Sequence, residues 1–409
     1  MAQRKSQTLK RTVGVRLLTL YGIGNIVGAG VYVLIGKIAE PAGYLSVIAF
    51  LLAALVAFAA ALSYAELAAR FPVSAGISVY LYEAFRAKRL STVIGIFLIV
   101  AGAISTATLL KGFSGYFYEL IPLPPPLIMA TAMFLLLAVM LKGIKESVSA
   151  AAILTIIEVG GLLFLVGSII WSQPQALGEF NLHFSESLSD ISFPAIAGVI
   201  SAAFIAFYAF IGFEDMVNIA EEVKRPQKAF PIAILIAMAT VTLLYVAVAI
   251  ATLGILTPQQ LGLSSAPLAD AFETATGNAP GIIVVISLLA TLNGIIVNVV
   301  MGSRFLYGLA KRGWIPAWFA KVSGSHVPAR GLVSMGVIAL IAASLVPLEF
   351  LAQTTSMLLL FVFLAVNVSL IVIRRRDTEE SRRLRVSPSA MPWFGAIASG
   401  ALLVSQVVI

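Results

Sequence analysis

Four glycines fall close together in Gly22-Ile23-Gly24-Asn25-Ile26-Val27-Gly28-Ala29-Gly30, at the centre of an apolar run from Val13 to Ala39. The run is long enough to cross a bilayer, for which ~20 apolar residues suffice. Glycine weakens a helix interior by ~1 kcal/mol relative to alanine, so this span is predisposed to come apart at its middle. Unwound backbone at that depth is tolerated only where it is buried in protein or lines a cavity. Its freed N–H groups, at the positive end of the following half-helix, would hold a carboxylate. The chemistry on offer is recognition of an anionic group by the main chain. Two other readings of the glycines stay open. They could let neighbouring helices approach closely, or Gly22-x-Gly24-x-x-x-Gly28 could be a dinucleotide loop. The latter needs a preceding strand in a soluble βαβ unit, and here both flanks belong to a span.

A second anomaly follows Phe204-Ile205-Ala206-Phe207-Tyr208-Ala209-Phe210-Ile211-Gly212-Phe213, where Glu214, Asp215 and Asn218 appear deep in another apolar run. Either these groups line a cavity or the helix breaks at Gly212. Glu158 stands about ten residues into its own span, so ~15 Å deep. An ionised carboxylate there costs at least ~2.5 kcal/mol unless paired or hydrated. A carboxyl that can gain and lose a proton at that depth suits a proton carrier; the alternative is a static partner for a polar neighbour. Glu66 and Arg70, four residues apart, read as a pair on a helix surface. Both histidines, His183 and His326, fall in loops, and no Ser-His or metal-ligand cluster is visible, so an enzyme is not expected.

The elements that must position these groups are membrane helices. The chain has 409 residues, 60% of them hydrophobic and 11% charged, with mean hydropathy +1.01. That composition belongs to a polytopic membrane protein. The basic start from Arg4 to Arg16 leads into a span too long for a signal-peptide core, so no cleaved leader is expected. Cysteine is absent, which leaves neither disulfides nor thiolate metal sites. The apolar runs place eleven helices, at about 14–39, 43–69, 91–118, 126–142, 148–171, 194–221, 229–254, 279–309, 331–347, 349–373 and 392–409. With the N-terminus inside, 25 of the 27 basic residues fall in inside segments, all but Lys37 and Lys111. The positive-inside rule thus holds along the whole chain and predicts a cytoplasmic N-terminus. The net charge of +8 follows that topology and does not call for nucleic acid.

The two interrupted spans, the first and the sixth, each open a group of five helices. Five is odd, so the groups enter the membrane from opposite sides, as in a transporter built from inverted repeats. Four stretches then resemble the amino acid–polyamine–organocation superfamily, cationic amino acid transporter-like and related prokaryotic permeases above all. These are Gly22 to Tyr32, Leu62-Ser-Tyr-Ala-Glu-Leu-Ala-Ala-Arg-Phe-Pro72, Ala220-Glu-Glu-Val-Lys-Arg-Pro226 and Ser303 to Pro316. The chain departs from the family in having Ser74-Ala75-Gly76 where paired glycines are common, and Glu158 near a position that is lysine in some relatives. It also carries eleven spans where many members have twelve.

The resemblance implies an all-α, LeuT-like five-plus-five fold with helices one and six broken. It divides the chain into an N-terminal segment 1–13, repeats 14–171 and 194–373, a basic loop 374–391 and an added helix 392–409. It implies secondary amino acid transport by alternating access in the cell membrane, with no cofactor beyond a proton gradient. Sodium coupling, exchange of amino acids or polyamines, and a receptor or scaffold role are the alternatives. By the same resemblance, N–H groups around Ile26, Val27, Gly28, Ala29 and Gly30 would hold a substrate carboxylate. Carbonyls near Phe207, Tyr208, Ile211 and Gly212 would accept from its ammonium, and the Tyr208 ring, more than its hydroxyl, would cover it. Glu158 and Glu214 are the candidates for proton coupling.

Overall fold

A computed structural model describes residues 12–28, 30–71, 76–142, 148–189, 192–322 and 327–408. In chain order the helices are α1 (Val15–Val27), α2 (Gly30–Ala42), α3 (Ser46–Arg70), α4 (Gly76–Phe85), α5 (Lys88–Tyr118), α6 (Pro125–Leu141), α7 (Val148–Ser172), α8 (Ala176–Ser189) and α9 (Phe193–Phe207). They continue with α10 (Pro226–Leu253), α11 (Pro258–Leu263), α12 (Pro267–Thr276), α13 (Gly281–Lys311), α14 (Ala329–Leu345), α15 (Leu348–Arg374), α16 (Glu379–Arg382) and α17 (Met391–Val408). Among the described residues the only β pairing is an isolated parallel bridge, Val13 with Val223. Seven helical stretches, counting Gly30–Arg70 as one, are long and apolar enough to cross a membrane, and α1, α6 and α14 are shorter apolar helices. The protein is a helical polytopic membrane protein, and each expected span coincides with helical structure to within a few residues, unbroken in all but the first and sixth.

The connecting segments hold more order than their polarity suggests. Helices α4, α8, α11 and α12 all lie between spans. His183 belongs to α8 and not to a loop: its ring stacks on Tyr44 with centroids 4.7 Å apart, and Nδ1 lies 3.2 Å from Glu186. His326 is outside the described residues. Helix α11 starts on a capping box between Thr257 and Gln260, with Pro258 at its first position, which satisfies two orphan amides reciprocally.

Both suspected interruptions are real breaks. Helix α1 ends at Val27, Gly28 takes φ 17°, ψ −139°, and α2 resumes at Gly30. After α9 a single 3₁₀ turn covers Tyr208–Phe210, Ile211 is extended, and Gly212 has φ 125°. A ten-residue 3₁₀ stretch, Phe213–Glu222, follows. Gly212 is required twice over, because a Cβ there would collide with the Asn25 carbonyl oxygen of the other break and its φ is one that side chains avoid. The glycines of the first span divide their work. A Cβ on Gly22, Gly24 or Gly30 would run into Met216, Thr155 or Ala209 respectively, whereas one on Gly28 would meet nothing closer than 3.5 Å. Close helix contact therefore explains three of them, and the unwinding itself explains the fourth.

Glu66 is not on a helix surface. It is fully buried, and its Oε1 accepts from Arg70 Nη2 at 2.7 Å and Arg374 Nε at 2.9 Å. Its Oε2 accepts from Arg374 Nη2 and, at 2.8 Å, from the Val386 amide. Arg70 also reaches Asp377, which takes a third arginine, Arg385, at 3.0 Å. Burial would raise the Asp377 carboxyl, but the hydrogen bonds from Arg70 and Arg385 outweigh it and hold the group below the usual carboxylate range. The cluster binds the end of α3 to the end of α15 and to the loop after it.

Three variants test this architecture. Gly212→Ala should lower stability by at least ~2 kcal/mol, the scale of a strained backbone without the collision, in thermal unfolding of the purified protein. Gly160→Ala, inside α7 with open space around it, should leave stability unchanged or raise it slightly. Glu66→Gln should cost ~3–5 kcal/mol in the same assay, because it strands buried guanidinium charge; a change below 1 kcal/mol would return Glu66 to a surface role.

Candidate functional site

The two breaks face one another across a small cavity of about 50 Å³. From the first broken span come Gly24, Asn25, Ile26, Gly28 and Gly30, and from the second Tyr208, Ile211, Gly212 and Asp215. Helix α5 contributes Ser105 and Leu109, and α13 contributes Asn293, Gly294, Val297 and Asn298. Of the residues expected from sequence, Ile26, Gly28, Gly30, Tyr208, Ile211 and Gly212 meet here. Ala29 lies outside the described residues. Val27 and Phe207, expected in the same group, do not line the cavity. Each is the last residue of its half-helix, and a helix turns ~100° per residue, which sends their side chains into the bundle. Val27 is fully buried, and the Phe207 ring packs edge-on to Phe363 at 5.6 Å.

Main-chain groups released by the breaks find specific partners. The Tyr245 hydroxyl, buried in the middle of α10, lies 2.9 Å from the carbonyl oxygen of Ile26, 3.3 Å from that of Val27 and 3.0 Å from that of Ala209. One proton is shared among three carbonyls drawn from both breaks. The Gly212 amide donates to Glu214 Oε2 at 2.8 Å, and the Ile211 amide to the Tyr208 carbonyl at 3.2 Å. Helix α2 begins anew at Gly30, and the amides of a first turn have no preceding turn to accept them. The polarity left on the cavity wall is therefore mainly donor on the α2 side.

Tyr208 is held by its hydroxyl. Its Oη lies 2.8 Å from Ser105 Oγ and donates to the Ser105 carbonyl at 3.2 Å, while Asn298 Nδ2 donates to Ser105 Oγ at 3.0 Å. This chain of bonds fixes the ring's orientation over the cavity and ties α5, α13 and the second break together. The sequence-based emphasis on the ring alone missed that anchor.

The membrane-depth carboxyls occupy different places. Glu158 is fully buried but does not line the cavity; Oε1 accepts from Asn293 Nδ2 at 3.2 Å, and Oε2 has no hydrogen-bond partner among the described residues. It stands behind Asn293, which does line the cavity. Glu214, besides capping Gly212, borders a second cleft of about 40 Å³ that shares Ser105, Ile211, Asp215 and Asn298 with the first. That cleft runs along Leu98 and Gly102 of α5 and Met301 and Phe305 of α13, toward the helix ends carrying Lys88 and Lys311. Sequence reasoning did not single out Asn293, Asn298, Ser105 or Tyr245. The signal available was polarity itself: each is a hydrogen-bonding side chain in an apolar run, and such groups need a partner when buried.

Comparison with known proteins identifies the family. The family profile described as "Amino acid permease" matches residues 14–409. The chain is 30% identical over 408 residues to the methylthioribose transporter of Bacillus subtilis, covering 94% of this chain and 86% of that protein. It is 30% identical over 403 residues to the branched-chain amino acid permease BcaP of the same organism, with 93% and 84% covered. The cationic amino acid transporter 3, mitochondrial, of Arabidopsis thaliana matches at 28% over 392 residues, 90% of this chain and 63% of that one. In three dimensions a manganese transporter mutant of Eremococcus coleocola superposes with a TM-score of 0.65 at 16% identity, over 96% of this chain and 86% of the other, so the fold is shared. With a profile match over nearly its whole length and permeases among its relatives, the chain belongs to the amino acid permease family of the amino acid–polyamine–organocation superfamily, and is a transporter, not an enzyme.

Proposed function

We propose that the protein is a secondary active amino acid transporter that works by alternating access in the cell membrane and is driven by protons. The observation that carries this reading is the meeting of two broken spans at one cavity, the arrangement by which inverted-repeat transporters hold a substrate near the midplane. In it, residues 14–171 and 194–373 act as the two repeats, followed by the basic loop 374–391 and the added helix 392–409. The basic ends of the helices face the cytoplasm, as does the N-terminus. The amino acid's carboxylate sits against the first turn of α2, where unpaired amides and the helix dipole favour negative charge. Its ammonium faces Ile211 and Asp215, with Tyr208 above. The second cleft, beside Glu214, is the route to the cytoplasm.

The test is uptake of radiolabelled amino acids by purified protein in liposomes, with and without an inward proton gradient. Uptake above empty liposomes, accelerated by the gradient, is expected. No uptake of any amino acid would leave a receptor or scaffold as the function.

Two sets of variants follow from the geometry. Tyr208→Phe and Ser105→Ala should each weaken substrate affinity by about two- to tenfold, the worth of one hydrogen bond. Their double variant should cost little more than Tyr208→Phe alone, because Ser105→Ala removes one of the two bonds that Tyr208→Phe already removes; additive losses would mean that Tyr208 and Ser105 act separately. Glu158→Gln keeps the volume and a hydrogen-bonding group but removes titration. It should fold, bind and exchange substrate, yet lose acceleration by the proton gradient. A full response in Glu158→Gln would move the coupling role to Glu214. Dependence of the wild type on sodium in place of protons would instead make Glu158 a site for cation coupling.

A further inference from the structure

A cleft of about 150 Å³ opens between the ends of α15 and α17, well away from the substrate cavity. It is lined by Ile371, Arg374, Arg375, Arg385, Ser389 and Trp393, among others. The arginines differ in what they have left to offer. Arg374 is held by Glu66, by the Pro388 carbonyl at 3.1 Å and by Ser387 at 3.0 Å. Arg385 meets Asp377 through Nε. Arg375 is exposed and has no ion pair among the described residues; its guanidinium lies 5.9 Å from the centre of the Trp393 ring. Counting the neighbouring Arg70, four arginines face two carboxylates, Glu66 and Asp377, so the cleft keeps a positive excess.

The other half of the argument is what adjoins it. Trp393 is half exposed, and α17 continues with Phe394, Ile397 and Val404 exposed at 41%, 68% and 61%. An apolar helix face thus rises from a cationic pocket, with an indole at the boundary where aromatic residues settle at headgroup level. A soluble anion would use only the pocket. A molecule with a phosphate at one end and acyl chains at the other uses both.

We propose that this cleft binds the phosphate of an anionic phospholipid, with Arg375 and Arg385 as its cationic partners, Ser389 as a hydrogen-bond donor, and the acyl chains along α17. Because the same loop carries Val386 and Asp377 into the Glu66 cluster, an occupied cleft also steadies that cluster.

The experiment is native mass spectrometry of the purified protein in neutral detergent, titrated with phosphatidylglycerol or with phosphatidylcholine of the same acyl chains. The wild type should bind phosphatidylglycerol more tightly. Arg375→Gln should lose about fivefold of that preference, the worth of one basic residue at an anionic headgroup, with phosphatidylcholine unaffected. Arg375 carries no ion pair, so this variant keeps the fold; Arg385→Gln, which also loosens Asp377, is the second variant. Equal binding of the two lipids by wild type, or an unchanged preference in both variants, overturns the proposal. Displacement of phosphatidylglycerol by an equal concentration of inorganic phosphate overturns it too, and makes the cleft a site for soluble anions. The readout needs no transport, so it stands or falls separately from the transport reading.

Discussion

A main-chain carbonyl released inside a membrane bundle must find a donor, and here three of them find the same one. The Tyr245 hydroxyl gathers the Ile26, Val27 and Ala209 carbonyls, so one side chain on an unbroken helix sets the distance between the two broken ones. An unsatisfied polar group at that depth costs several kcal/mol. This cost is met on one side of each break by the Tyr245 hydroxyl, and the cavity opens on the other. Glu214 meets the same demand for the Gly212 amide, a task that keeps a carboxyl beside the opening.

The ends of the bundle are fastened by different means. At the basic end, the Val13–Val223 bridge and the Lys224 amide bonded to the Val13 carbonyl at 2.8 Å join the segment before α1 to the stretch after the second break. The Glu66 cluster joins α3 to α15 close by. At the other end Lys37 spans from Glu40, at 2.9 Å, to the Gly262 carbonyl, at 2.8 Å, pinning α2 to α11. Buried ion pairs add little net stability over an apolar alternative but penalise every arrangement that leaves one partner alone. The cluster therefore penalises any arrangement of the helix ends that leaves one of its charges alone.

The spans were legible because apolar length is a one-dimensional signal, and the breaks because glycine and mid-span carboxylates violate it. What was not legible is azimuth. Nothing local distinguishes Tyr208, on the cavity, from Phe207, behind it, or tells that Asn293 stands between Glu158 and the cavity. Glu66 misled for a related reason: Arg70, four residues away, offered a sufficient local partner, while Arg374 lies 308 residues further on. The connecting helices escaped because their order comes from caps and packing, as with the His183 ring on Tyr44, and not from any apolar run.

The stretch Phe213–Glu222 has a mechanical consequence. It holds ten residues in 3₁₀ geometry, well beyond the three or four usual for that form. Such a helix rises ~2.0 Å per residue where an α-helix rises ~1.5 Å, so winding it up would shorten it by ~5 Å without breaking the chain's path. One end is anchored at Gly212 against Asn25, the other at Val223 on Val13. The half of the second broken span beyond Gly212 is thus a stretched spring clipped at both ends to the first, and its recoil would draw the Val223 end toward the cavity.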